Sequence, residues 1–288
     1  MNVPMDSCRR VSSPTMDRQT LINTIRAKQS FLCVGLDPDP ARIPAHLGSG
    51  TEAILAFNRA IIEATSDLAV AYKPNVAFYE ALGPEGWNVL SETMKAIPEG
   101  CLRIADAKRG DIGNTATRYA QAAFEAWGAD AVTVAPYMGR DSVEPFLAFE
   151  DKWTILLAAT SNPGAEDFEF HGGDHGAPLW RRVLEVSQQY KGAERLMYVV
   201  GATRPEWLSE VREVVPDRFL LVPGVGAQGG TLSAVCQAGW SAPLAGGLLV
   251  NVGRSLLYAS SGEDFAEAAR KEALRIQNAM AEELMTSR

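Results

Sequence analysis

Short apolar runs rich in β-branched residues recur along the chain and alternate with longer stretches in which apolar residues return every three or four positions. The short runs are Phe31 to Leu36, Ala69 to Lys73, Leu102 to Asp106, Ala131 to Val134, Thr154 to Ala159, Met197 to Val200, Phe219 to Val222 and Gly247 to Asn251. Between them, Thr51 to Thr65 presents Ile54, Leu55, Phe57, Ile61 and Ile62 as one helical stripe, interrupted by Asn58. Strand and helix in alternation predict βαβ units on a parallel sheet. About eight strands is the number at which such a sheet closes, so the expected fold is a single (β/α)8 TIM barrel over residues 17–288. Asp17 to Gln29 reads as a helix closing the barrel floor. The 288 residues, 47% of them hydrophobic, supply such a core without a second domain. Residues 1–16 are polar and read as a disordered extension, with Met16 an alternative start. Asn162 to Ala177 holds Gly164, Gly172, Gly173 and Gly176 without periodicity, which predicts a mobile lid.

Charge and cysteine usage narrow the function. A net charge of -8 argues against a nucleic-acid or anionic-membrane surface, which needs a basic face. No apolar run reaches signal-peptide or membrane-spanning length. Cys8, Cys33, Cys101 and Cys236 are far apart and form no Cys-x-x-Cys pair, which fits reduced thiols in a cytoplasmic protein and shows no zinc site. His171 and His175 have the spacing of helical metal ligands, but Gly172 and Gly173 between them argue against a helix, so they read as lid residues.

The informative polar residues fall at strand C-termini, the face where barrel enzymes carry their chemistry: Asp37, Lys73, Asp106 with Lys108, Thr160 with Ser161, and Asn251 with Arg254. Asp106 and Lys108 are two apart and project to the same side. Asp111, flanked by Gly110 and close to Gly113, sits where the next helix begins and a carboxylate is favoured. Taken alone, these residues are equally well an ion pair with a helix cap or a catalytic network. Lys73, ending the preceding strand beside Asp106, tips the reading toward a network. Neighbouring carboxylates keep both lysines charged, which disfavours a Schiff base. The lysines in turn compensate the carboxylates, which disfavours a divalent metal. What remains is a charged lysine that donates a proton to a carbanion-like centre.

The run Pro223 to Gly230 contains Gly224, Gly226 and Gly229 in a Gly-x-Gly-x-x-Gly pattern. A dinucleotide site would require an acidic residue at the end of the next strand, where Asn251 stands instead. In a barrel the loops after the seventh and eighth strands commonly bind phosphate through backbone amides, and Arg254 adds a forked cationic donor there.

Together Val34-Gly35-Leu36-Asp37-Pro38, Tyr72-Lys73-Pro74-Asn75, Asp106 to Gly113, Thr160-Ser161-Asn162-Pro163-Gly164 and Pro223 to Gly230 resemble the orotidine 5′-phosphate decarboxylase family, specifically its longer bacterial (type 2) branch. The resemblance runs from about Phe31 to Tyr258 and implies conversion of orotidine 5′-phosphate to UMP and CO2 in de novo pyrimidine biosynthesis, by a homodimer without a cofactor. It implies that Asp37 and Lys73 contact the ribose, and that Asp106, Lys108 and Asp111 form the catalytic network with Lys108 the proton donor. Asp111, with Ile112 and Thr115 nearby, would reach the partner subunit's site. Ser161 would hold the pyrimidine, Pro223 line the base pocket, and Gln228, Gly253 and Arg254 hold the phosphate. Ala159 and Gly253 depart from the arginine and serine expected in many members. A related barrel that acts on sugar phosphates with Mg2+ shares the Asp106, Lys108, Asp111 spacing, but places an acidic metal ligand where this chain has Lys73. A non-catalytic nucleotide-binding barrel would need the phosphate loops but not the charge network.

Overall fold

A computed structural model describes residues 16–172, 176–202, 204–225 and 231–286. Eight parallel strands form a closed barrel in sequential order: β1 (Leu32–Leu36), β2 (Ala71–Pro74), β3 (Leu102–Arg109), β4 (Ala131–Val134), β5 (Trp153–Ala159), β6 (Leu196–Val200), β7 (Leu220–Pro223) and β8 (Leu248–Val252). Pairing of β1 with β8 closes the ring, with Cys33 opposite Asn251. The helices are α1 (Arg18–Lys28), α2 (Gly50–Thr65), α3 (Val76–Glu80), α4 (Pro84–Ala96), α5 (Gly113–Gln121), α6 (Arg140–Leu147), α7 (Leu179–Ser187), α8 (Pro205–Val214), α9 (Leu232–Gly239), α10 (Arg254–Leu257) and α11 (Phe265–Thr286). Every residue of β1, β2, β4 and β6 is buried, because barrel strands face the packed interior on one side and the helical ring on the other.

The eight apolar runs seen in the sequence correspond one to one with the strands. The largest difference in extent is β3, which continues through Lys108 to Arg109. The floor helix also forms. The Asp17 side chain caps it by accepting from the Thr20 amide at 2.7 Å. Arg18 then donates to the carbonyls of Asp217 and Glu194, while Lys28 donates to those of Ser66 and Ala69. Those carbonyls lie on loops that precede strands, so α1 ties down the end of the barrel opposite the strand C-termini. The packed chain includes Met16, one residue before the expected boundary: Met16 is buried and its carbonyl accepts from the Trp153 indole at 2.6 Å. Residues 1–15 lie outside the described residues. Among the described residues no helix is long and apolar enough to cross a membrane.

The expected lid is less irregular than its glycines suggest. Pro163–Asp167 forms a short 3-10 helix, and the Glu169 carboxylate turns back to accept from the Thr160 amide and hydroxyl. Phe170 stacks on Trp207 with ring centroids 3.6 Å apart, and Arg204 lies over Trp207 while pairing with Glu166. Aromatic stacking and charge therefore order this segment where apolar periodicity is absent. Residues 173–175 are not described.

Asn58, the polar break in the α2 stripe, is fully buried and donates to the Tyr79 and Thr93 hydroxyls at 3.0 Å each. Tyr79 passes the chain of bonds to the carbonyl of Leu36, the residue before Asp37. One amide thus joins α2, α3, α4 and the end of β1. Asn58→Ala should lower the unfolding free energy by about 2 kcal/mol, since it leaves buried hydroxyls underbonded. Urea denaturation of the two proteins reads this directly, and an unchanged midpoint would show that the amide adds nothing.

Candidate active site

The strand C-termini converge on a charged cluster at one mouth of the barrel. Gly35 pairs in register with Lys73, and Asn75 forms a bridge with Asp106, so closure of the sheet brings the ends of β1, β2 and β3 together. Lys73 Nζ donates to Asp106 Oδ2 at 2.7 Å and Lys108 Nζ to Asp106 Oδ1 at 2.5 Å. The Lys73 and Asp106 side chains are 6% and 9% exposed, whereas Lys108 is 51% exposed. Asp106 therefore sits below, shared between a buried lysine and one open to the mouth. Burial alone would raise the Asp106 pKa, but the charges of Lys73 and Lys108 outweigh it and hold the carboxyl well below its ordinary range. Burial works likewise against the charge on Lys73, and Asp106 and Asp37 reverse it, so its ammonium is held above the usual lysine range.

A residue that sequence reasoning passed over completes this arrangement. Thr133, buried on β4, donates from its hydroxyl to Asp106 Oδ1 at 3.0 Å and accepts from the Lys108 amide at 2.9 Å. In the run Ala-Val-Thr-Val a threonine reads only as a good strand former. Its one visible signal is strand parity, since position 133 falls on the inward side of β4. A second missed residue is Tyr258: its hydroxyl donates to the Asp37 carbonyl at 3.0 Å and accepts from the Asp39 amide at 2.6 Å. It stacks on Phe57 beneath Arg42, and so holds the loop that carries Asp37.

Asp37 lies beside the cluster, and Oδ1 of its carboxylate is buried with no hydrogen-bond partner among the described residues. Burial raises its pKa against the opposing pull of Lys73. Gly253 and Gly35 are close by: a Cβ on Gly35 would lie 3.2 Å from Asn251 Oδ1 and 3.3 Å from the Gly253 Cα, so the missing side chain admits the β8 end to the mouth. Arg254 begins α10 on the exposed rim, near enough for its charge to act on Asp37, and it forms no salt bridge among the described residues. Ser161 follows β5 and packs on the backbone of Gly201, where a Cβ would come within 2.7 Å of the Ser161 Cβ. Pro223 ends β7 opposite Asn251. Gln228 lies outside the described residues, as does His175.

Asp111, Ile112 and Thr115 are not brought to this cluster. Ile112, rather than Asp111, occupies the N-cap position of α5, and Asp111 Oδ1 accepts from the Ile112 amide at 2.8 Å. The glycine at 113, with φ +56°, starts the helix one residue later than the carboxylate needed for capping. Among the described residues Asp111 forms no ion pair. Ile112 is 55% exposed, and Tyr137 and Met138, on the neighbouring loop after β4, are 84% and 48% exposed. A cavity of about 640 Å³ between that loop and the segment after β5, lined by Tyr137, Leu157, Phe168 and Trp180, contains none of the clustered charges. Its walls are mostly apolar, and it lies against the segment that follows β5. Among the described residues no three His, Cys, Asp or Glu side chains converge as a metal site, and both oxygens of Asp106 are already engaged by ammonium groups.

Comparison with known proteins matches this architecture. Residues 30–271 match the model of the orotidine 5′-phosphate decarboxylase / HUMPS family. The chain is 57% identical over 270 residues to orotidine 5′-phosphate decarboxylase of Flavobacterium johnsoniae, covering 93% of this chain and 98% of that protein. The chain belongs to the orotidine 5′-phosphate decarboxylase family. A decarboxylase of the same name from Bacteroides fragilis is 50% identical over 272 residues, with 93% and 98% of the two chains covered. Among solved structures, the OMP decarboxylase of Leishmania donovani superposes with a TM-score of 0.78 at 40% identity, covering 92% of this chain and 99% of that one. A protein from Toxoplasma gondii described as a putative orotidine-monophosphate decarboxylase gives 0.80 at 35% identity, covering 92% and 98%. The decarboxylase family thus accounts for both the barrel and the whole span that carries the charged cluster.

The coupling of Lys73 to Asp106 has a measurable linkage. The folded-state pKa of Asp106 lies below its unfolded value of about 3.9, so its contribution is fully present above that pH and is lost as pH falls toward the folded value. Asp106→Asn strands the buried Lys73 ammonium and should cost about 3 kcal/mol of unfolding free energy at pH 7. At pH 3 the cost should be smaller by about 1 kcal/mol, because the wild type has already surrendered part of this stabilisation. Urea unfolding at the two pH values checks both the size and the sign.

Proposed function

We propose that this chain decarboxylates orotidine 5′-phosphate to UMP and CO2, with Lys108 as proton donor, no cofactor, and sites completed across a homodimer in the cytoplasm. The observation that carries the reading is the shared, buried Asp106: one oxygen bound by Lys73, the other by a lysine that opens to the mouth. Family membership supplies the reaction, and the cluster supplies groups suited to it.

Breaking the bond between C6 of the pyrimidine and its carboxylate leaves an electron pair in the plane of the ring, where the π system cannot delocalise it. The Lys108 ammonium stabilises that charge as it develops and transfers a proton from Nζ to C6, and solvent then returns a proton to the lysine. Asp106 lies close to the departing carboxylate. Two like charges 4 Å apart repel by about 4 kcal/mol at an effective dielectric near 20, and the repulsion disappears as neutral CO2 leaves. Binding energy from the phosphate, held by Arg254, Gln228 and Gly253, offsets this stress in the bound state. Asp37, whose buried oxygen has no partner among the described residues, accepts from a ribose hydroxyl beside Lys73. Ser161, just past the end of β5, and Pro223, the last residue of β7, face the base.

Asp111 acts in the neighbouring subunit. Among the described residues it has no ion-pair partner, and Ile112 beside it and Tyr137 and Met138 on the loop after β4 are large apolar side chains left exposed, as at a protein interface. Ile112 and Thr115 then enter the partner's mouth with it.

The first test follows the ultraviolet change of orotidine 5′-phosphate in EDTA. Turnover should persist there and fall by roughly 10³-fold or more in Lys108→Ala; a requirement for added Mg2+ and a sugar phosphate would refute the reading. A second experiment refolds Lys108→Ala and Asp111→Ala chains together. If sites are shared, mixed dimers retain one intact site, and about a quarter of wild-type activity should return. Self-contained sites would recover none.

A further inference from the structure

Strands β3 and β4 lose step between Ala105 and Arg109. Ala105 pairs with Val132 and Arg109 with Val134, so four steps on β3 oppose two on β4. Within this bulge Lys108 adopts φ +46°, the left-handed region that a side chain disfavours. Its amide donates to the Thr133 hydroxyl at 2.9 Å, in place of a ladder carbonyl. Because that amide can only donate, the hydroxyl oxygen is the acceptor and its own proton is directed elsewhere, to Asp106 Oδ1 at 3.0 Å. Thr133 Oγ1 therefore links the backbone of the lysine to the carboxylate that the same lysine's Nζ touches at 2.5 Å. The three groups form a closed circuit, and Thr133 is its only member from another strand.

We propose that Thr133 is a positioning residue for the Asp106–Lys108 pair, holding the lysine in its left-handed turn and the carboxylate in the plane that presents Oδ1 to it. This rests on the reading of Lys108 as the proton donor. Thr133 lies buried beneath the pair and acts through it, so its loss falls on the step in which Lys108 delivers a proton and leaves substrate binding by Asp37, Ser161 and Arg254 in place. Valine has the shape and strand preference of threonine without the hydroxyl, and serine retains the hydroxyl.

The experiment compares Thr133→Val, Thr133→Ala and Thr133→Ser by steady-state kinetics and by hydrogen exchange at the Lys108 amide. In the two variants lacking the hydroxyl, kcat should fall by about 10-fold or more while KM for orotidine 5′-phosphate stays within about two-fold, because a misplaced reacting group costs rate. Thr133→Ser should keep more than about half of the wild-type kcat, since its hydroxyl can make both bonds. Exchange at Lys108 should be at least about 10-fold faster in the valine and alanine variants and near wild type in the serine variant, the amide having lost its acceptor. Wild-type kcat in Thr133→Val, or an equal loss in Thr133→Ser, would overturn the proposal. The exchange measurement needs no substrate. A wild-type chain that fails to turn over the nucleotide would therefore strike the assigned reaction, while unchanged protection in Thr133→Val would strike Thr133 itself.

Discussion

Everything at the mouth of this barrel depends on one carboxylate divided between two lysines. A buried ion is tolerated only when it is paired and its remaining valences are used. Asp106 meets that condition with Lys73 on one oxygen and Lys108 and Thr133 on the other. The pairing is possible because a closed eight-stranded sheet places the ends of β2, β3 and β4 side by side. Lys73 has no freedom left, being buried and bound. Lys108 meets the same carboxylate but keeps half of its side chain in the open. Burial alone thereby sets the two lysines apart, one sealed in the barrel and one facing the mouth.

The rest of the chain divides between holding the barrel and holding this cluster. At the floor, α1 joins the loops before the strands through Arg18 and Lys28, far from any of the clustered charges. At the mouth, buried polar chains reach inward from the helices. Asn58 and Tyr79 grip the carbonyl of Leu36, and Tyr258 grips that of Asp37 from the other side. Two hydroxyls, one from α3 and one from the end of α10, thus fix consecutive carbonyls just where the first strand delivers its carboxylate. Preorganisation of this kind needs no motion when charge develops.

The barrel was legible in the sequence because parallel strands buried on both faces leave compact apolar runs, and all eight were present. The limits were blurred where function intrudes. The apolar run of β3 ends at Asp106, yet Lys108 and Arg109 remain in the strand through a bulge that no periodicity announces. Lys73 and Asp106 were recognisable as neighbours, since strand order and parity suffice to place them. Thr133 was not, because its role lies in a hydrogen bond across a shifted register, and threonine in a strand is unremarkable by composition. Asp111 was misplaced by one position at the helix start, where Gly113 delays the helix and Ile112 takes the cap. The segment after β5 looked featureless because stacking of Phe170 on Trp207 joins residues far apart in the chain.

The left-handed backbone of Lys108 carries an evolutionary consequence. Such a conformation costs a side-chain-bearing residue on the order of 1 kcal/mol, and glycine or asparagine would occupy it more comfortably. Drift under selection for stability alone would erode lysine from this position. Its presence means that the stability supplied by the rest of the barrel carries the burden of an ill-suited residue.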